Sequence, residues 1–332
     1  MKQLFFLASI ISLLFTACSN NDNTSPDSGK AKLSVRLTGQ NTAGVSTRSE
    51  GAPTQLEENK ITSFKVYIFY NNRLEQSATS ATGAELLIED LTTGSKKVVV
   101  IANAATYPNL SEGDPYDNLA LPANNIDLGE QQTLDDGLVM TGEINTVLQS
   151  ESLGTNERTI PVTRIVAKLK LGTITVEPAI GTDIAKFVLS GVAVIKGRGK
   201  SSFGIPSVIT TVPLYSGITG LEVQGVNVKS YLYENITIAE HTNRYFYVFE
   251  NNSTNDDEST LLTLEATYNG ELMYFPFRVK DIRHNTEYTI NVTLRRIGSG
   301  SPDPEIPSDP ATLTVTIVPQ DWVVAPVQNV EW

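Results

Sequence analysis

Residues 31–37, Ala-Lys-Leu-Ser-Val-Arg-Leu, alternate apolar and polar side chains without a break. Leu33, Val35 and Leu37 share one face, and Lys32, Ser34 and Arg36 share the other. A two-residue period of this kind marks a half-buried β-strand. The segments on either side of it have a different character. Residues 19–30 hold no apolar side chain larger than proline and read as a flexible tether. Residues 38–60 return to Gly, Thr, Ser, Asn and Glu, with Arg48 and Ser49 in their midst. The strand is therefore an isolated structured piece between two polar stretches.

Ahead of the tether, Lys2 gives a short positive start and residues 4–15 form an apolar run interrupted only by Ser9 and Ser12. Small residues and Cys18, the single cysteine of the chain, close it. This is the layout of a secretory signal, and the run is shorter than the roughly 20 residues a membrane-spanning helix needs. A lone thiol at the boundary of such a signal points to lipidation of Cys18. With no second cysteine there is no disulfide, so packing and partners must supply stability.

The chain has 332 residues and 40% apolar content, enough for two domains with real cores. Its formal net charge is −12; residues 1–48 carry five basic and two acidic side chains, so without them the charge is −15. No basic patch offsets this, which excludes nucleic acid as a partner. His241 and His284 have no histidine or cysteine at ligand spacing, arguing against a structural zinc, a cysteine nucleophile or any cofactor. Gly197 and Gly199 lack the spacing of a phosphate loop and read as a turn. No positive feature argues for an enzyme. The pairs Asp135-Asp136 and Asp256-Asp257 read as solvated loop residues.

Strands are expected at 61–70, 86–89, 97–102, 138–142, 159–162, 164–174, 186–195, 208–212, 244–250, 261–268, 271–278 and 287–294, with one or two short helices among the loops of 107–136. Asn269-Gly270 is the strongest hairpin signal. Two mostly β domains follow, meeting near residues 160–180. At the far end, residues 298–310 form a Pro-rich extended linker. Leu313, Val315 and Ile317 then alternate with threonines, and Trp322 and Val324 follow Pro319. Such a tail either closes the edge of its own domain or completes the sheet of a neighbour.

Several stretches together resemble the fimbrillins of Bacteroidales, the Mfa1-like and FimA-like major fimbrial subunits, with the Mfa1-like ones nearer. They are the signal through Cys18, Ile61–Ile68, Gly94–Asn103, Arg164–Leu171, Arg283–Thr293 and Thr312–Trp322. The resemblance implies an all-β fold of two tandem β-sandwich-like, transthyretin-like domains with a few short helices in loops. It divides the chain into a signal (1–18), a tether with a removable first strand (19–48), an N-terminal β domain (49–165), a C-terminal β domain (166–298), and a linker with a candidate donor strand (299–332). It implies a precursor lipidated on Cys18, held at the outer membrane, and cut by an arginine-specific protease between Arg48 and Ser49. Arg36 lies inside the strand and is protected from that cut. Loss of the strand bearing Leu33, Val35 and Leu37 would open a groove for the tail of another copy, with Leu313, Val315, Ile317 and Trp322 as the donor residues. The function implied is a structural subunit of an extracellular fimbrium that supports adhesion or biofilm formation. Its partners would be copies of itself, other fimbrial subunits and a host or bacterial surface ligand. A tip or anchor subunit, or a glycan-binding lipoprotein using Tyr231, Tyr233, Tyr245 and Tyr247, are the alternative readings.

Overall fold

A computed structural model describes residues 29–38, 55–177, 184–203, 213–216, 228–242, 244–253, 255–296, 306 and 313–322. Cys18, Arg48, Ser49, Val324 and the strand expected at 208–212 lie outside the described residues. Within them the fold is almost entirely β. Helix is confined to the four residues Gln55–Glu58 and to short 3-10 turns, three of them between residues 116 and 131.

The first strand, Lys30–Leu37, lies in the middle of a three-stranded sheet. It runs antiparallel to Leu86–Thr92 and parallel to Asn156–Ile160. Facing it is a five-stranded sheet in the order Arg73–Ser80, Phe64–Tyr70, Gly94–Ala102, Met140–Leu148, Thr163–Arg164. The central strands of this second sheet are apolar on both faces because both faces are covered. Phe64, Val66, Ile68, Val98, Val100 and Ala102 pack toward the first strand. Tyr67, Phe69, Val99 and Ile101 point the other way, into a larger cluster that takes in Leu110, Leu119, Leu128 and Leu138 and continues into the second half of the chain.

Two further sheets build that second half. One has the order Tyr245–Phe249, Val166–Val176, Thr286–Leu294, Leu313–Asp321. The other centres on Phe187–Arg198, Thr260–Tyr268 and Glu271–Val279. Val166–Val176 follows directly on the short strand Thr163–Arg164, so one continuous stretch carries the chain from one group of sheets to the next.

Local chemistry sets the turns. Asn71 and Asn72 both take positive φ (48° and 62°), as do Asn269 and Gly270 (53° and 83°). Each pair forms the tight turn whose twist suits a two-stranded hairpin. A Cβ added to Gly142 would meet the Pro161 carbonyl oxygen at 2.1 Å. Glycine is therefore what lets the chain cross closely between Asn156–Ile160 and Thr163–Arg164.

Candidate functional site

The first strand fills a slot. Ala31, Leu33 and Val35 are 0% exposed and Leu37 is 2% exposed. Beneath them lie Phe64, Val66, Ile68, Val98, Val100 and Met140, with Ile160 beside Leu37 and Val162 in the same cluster. Leu33 is paired with Ile88 on one side and Asn156 on the other, and Val35 with Leu86 and Arg158. Asn156 fixes the register further, donating from Nδ2 to the Lys32 and Gln149 carbonyls at 2.9 and 3.0 Å. Leu33, Val35 and Leu37 thus share a single buried row, as their spacing predicts.

The opposite face of the strand is cationic and meets carboxylates on its neighbours. Lys30 pairs with Asp90 at 2.5 Å, Lys32 with Glu89 at 2.8 Å and Arg36 with Glu85 at 2.7 Å. Hydrogen bonds from Ser34 and then Arg36 hold the Glu85 carboxyl below its usual range. These pairs stand in solvent, so they align the strand more than they stabilise it.

The tail takes a different position. Leu313–Asp321 forms the outer strand of its own sheet, antiparallel to Thr286–Leu294 over its whole length. Leu313 is buried, Val315 and Ile317 are half-buried, and Val318 is exposed. Pro319 has no N–H to donate, which an edge strand tolerates.

Trp322 then turns inward and is 5% exposed. Its indole Nε1 donates to Glu58 Oε2 at 3.0 Å, and its ring stacks on Tyr247 with centroids 5.8 Å apart and planes 10° apart. The Arg164 guanidinium lies 4.2 Å from the ring centroid, and its Nη1 donates to the Trp322 carbonyl at 2.7 Å. Glu58 Oε1 accepts from Lys168 Nζ at 2.7 Å and from the Tyr247 hydroxyl at 2.9 Å. Arg164 Nε also donates to the Glu58 carbonyl at 3.2 Å, and its Nη2 donates to Asn59 Oδ1. Burial lowers the Arg164 pKa to about 10 and, together with Glu58, raises that of Tyr247 well above its usual value.

This hub is absent from the sequence reading. Arg164 and Lys168 are visible as cations inside an apolar run, which is a signal for buried partners. Their partner Glu58 is 110 residues away from Lys168, and nothing in the linear pattern joins them.

The remaining candidates have structural roles. Tyr245 and Tyr247 are buried at 7% and 2% exposure, while Tyr231 packs on the core and Tyr233 donates to Glu265 at 3.0 Å. The four tyrosines do not line one exposed platform. His241 accepts from the Ile174 amide through Nε2 at 3.0 Å, leaving Nδ1–H to donate to the Ile238 carbonyl at 2.8 Å. Asp256 pairs with Lys280 at 2.8 Å. Among the described residues no three His, Cys, Asp or Glu side chains are placed to share a metal ion.

No curated protein matches the chain. Solved structures share its fold at low identity. A candidate cell adhesion protein from Bacteroides eggerthii is 20% identical with a TM-score of 0.64, over 89% of this chain and 96% of that one. A candidate cell adhesion protein from Parabacteroides distasonis is 18% identical with a TM-score of 0.64, over 89% and 99%. The fimbrilin FimA of Porphyromonas gingivalis is 17% identical with a TM-score of 0.63, over 90% and 99%. The sequence match covers residues 31–178, a stretch that begins inside the slot-filling strand, and its family is described as major fimbrial subunit protein (FimA). Over that stretch the chain is similar to the FimA-type fimbrillins.

Proposed function

We propose that the protein is the polymerising subunit of a cell-surface fimbrium that supports adhesion or biofilm growth. In this reading it is exported as a precursor lipidated on Cys18, held at the outer membrane, and built as two tandem transthyretin-like β-sandwich domains. The observation that carries the proposal is the position of Lys30–Leu37 between two strands. Taking this strand away leaves unpaired backbone on both sides and an apolar floor between them, the kind of edge that accepts an added strand. Cleavage after Arg48 would release the strand, the tether and the lipid together and leave Ser49 as the new N-terminus. The tail of a second copy then supplies the replacement, with Leu313, Val315 and Ile317 in the places of Leu33, Val35 and Leu37.

The chemistry asks for no nucleotide or metal, only a protease and a second subunit. Incubating the full precursor with an arginine-specific protease tests the proposal by intact mass and size distribution. The expected result is a cut between Arg48 and Ser49 followed by multimers, with neither seen in Arg48→Ala. A chain lacking residues after Gly300 should be cut but remain monomeric. Full-length cut product that stays monomeric at high concentration would overturn the polymerising role and favour a tip subunit. Absence of a cut at Arg48 would favour an anchor.

A further inference from the structure

The tail strand is held at its end far more firmly than along its length. From Thr314 to Asp321 no side chain is buried, Val315 and Ile317 being half-buried and the others exposed, and among the described residues the strand has a neighbour on one side only. At Trp322 the situation reverses. The indole is enclosed by Glu58, Tyr247, Arg164 and Lys168, its N–H is bonded to Glu58, and its backbone amide donates to the Asn285 carbonyl at 3.0 Å.

The enclosing groups balance in charge. Lys168 sits between Glu58 and Glu287 at 2.7 and 3.3 Å, and Arg164 lies over the ring. An indole suits such a place because its face attracts the cations and its edge donates to the carboxylate. The parts come from four separate regions: the Gln55–Glu58 turn, the crossing at Arg164–Lys168, the Tyr245–Phe249 strand and the tail itself.

We propose that Glu58, Arg164, Lys168 and Tyr247 form an indole socket, and that Trp322 in this socket latches the tail into the subunit's own sheet. The latch keeps the tail from reaching a second copy until the indole leaves. This last clause rests on the donor-strand reading above, whereas the latch itself is a property of the single subunit. Breaking it requires Glu58 and two cations to lose their partner in one step, so the tail opens as a unit and does not fray.

Amide hydrogen exchange on the full precursor reads the latch without any assembly. In Trp322→Ala, exchange across Leu313–Asp321 should rise at least tenfold, while Thr260–Tyr268 stays as protected as in the unaltered chain. Free indole at millimolar concentration should restore part of the tail protection by refilling the socket. Trp322→Phe keeps the stacked ring and loses the N–H donor, so it should fall between the two and serves if the alanine variant does not fold. Unchanged tail exchange in both variants would overturn the latch, as would an equal rise throughout the chain. After protease treatment, Trp322→Ala should form multimers faster than the unaltered chain. Faster tail exchange without faster assembly would support the latch and overturn the donor-strand reading instead.

Discussion

The first strand and the tail strand carry nearly the same pattern and occupy opposite situations. Lys30–Leu37 has a neighbour on each side, and Ala31, Leu33 and Val35 are completely enclosed. Among the described residues Leu313–Asp321 has one neighbour, and its matching residues Val315 and Ile317 are half-buried. The outward faces differ as well. The first strand presents Lys30, Lys32 and Arg36 to carboxylates, whereas the tail presents Thr314, Thr316 and Val318. Alternation therefore reports that a segment is a strand, while the number of neighbours decides how much it contributes. A strand with the tail's pattern placed in the slot would bring Val315 and Ile317 to full burial. That adds about 1 kcal/mol for each side chain, half the value of complete burial. It would forgo ion pairs that stand in solvent and contribute little. The apolar floor, and not the charged rim, sets which segments can fill the slot.

The sharpest way to break this comparison is to put a charge in each strand at the equivalent place. Val35→Asp buries a carboxylate in an apolar row whose one cross-strand cation, Arg158, is already committed to Thr146 and backbone carbonyls, and should cost about 4 kcal/mol of unfolding free energy. Val315→Asp can turn its carboxylate to water and should cost less than ~1.5 kcal/mol. Urea unfolding of the two precursors measures both, and equal losses would mean that the slot is not closed. A gentler version compares Leu33→Ala with Ile317→Ala. The first empties a core position and should cost about 3 kcal/mol, and the second about 1 kcal/mol. A ratio near one would place the tail as deep as the first strand.

The same contrast explains what was legible in the sequence. The first strand, the Asn269-Gly270 hairpin and the apolar runs at 97–102 and 164–174 announce themselves through period, turn chemistry and hydrophobicity. Arg73–Ser80 does not. Its residues Arg-Leu-Glu-Gln-Ser-Ala-Thr-Ser hold one large apolar side chain, because it is an edge strand that buries little. Met140–Leu148 runs beyond the expected 138–142 for a related reason: Glu143, Asn145 and Val147 face solvent, so backbone pairing with Gly94–Ala102 extends the strand where no apolar period does. Asn156–Ile160 lies a few residues before the expected 159–162, where Pro161 and the close crossing at Gly142 end it. The tail's period was legible, but the period alone fits either its own sheet or a neighbour's. The Trp322 hub was illegible because its partners meet only in three dimensions.

The smallest expected effect concerns the turn that receives the tail's anchor. His284 Nδ1 lies 2.6 Å from Glu250 Oε2, and the His284 amide donates to the same oxygen at 3.2 Å. Next to it, Asn285 accepts from Arg164 through its side chain and from the Trp322 amide through its carbonyl. The hydrogen bond to Glu250 raises the His284 pKa, and the same bond lowers that of Glu250. For a histidine whose folded pKa is raised, the contribution is complete below its unfolded value, about 6.5, and is lost as pH climbs through the higher folded value. For the carboxylate the contribution is present above its unfolded value, about 4.3, and is lost as pH falls through the lower folded value. The pair therefore stabilises the turn most between about pH 4.5 and 6.5. His284 is half in solvent, so the effect is screened to roughly 0.5 kcal/mol. His284→Gln should remove it: from pH 5.5 to 8.5 the unaltered chain should lose about that much more stability than the variant. Parallel profiles would show that the pair contributes nothing, leaving the tail's anchorage to Trp322 and the buried charges around it.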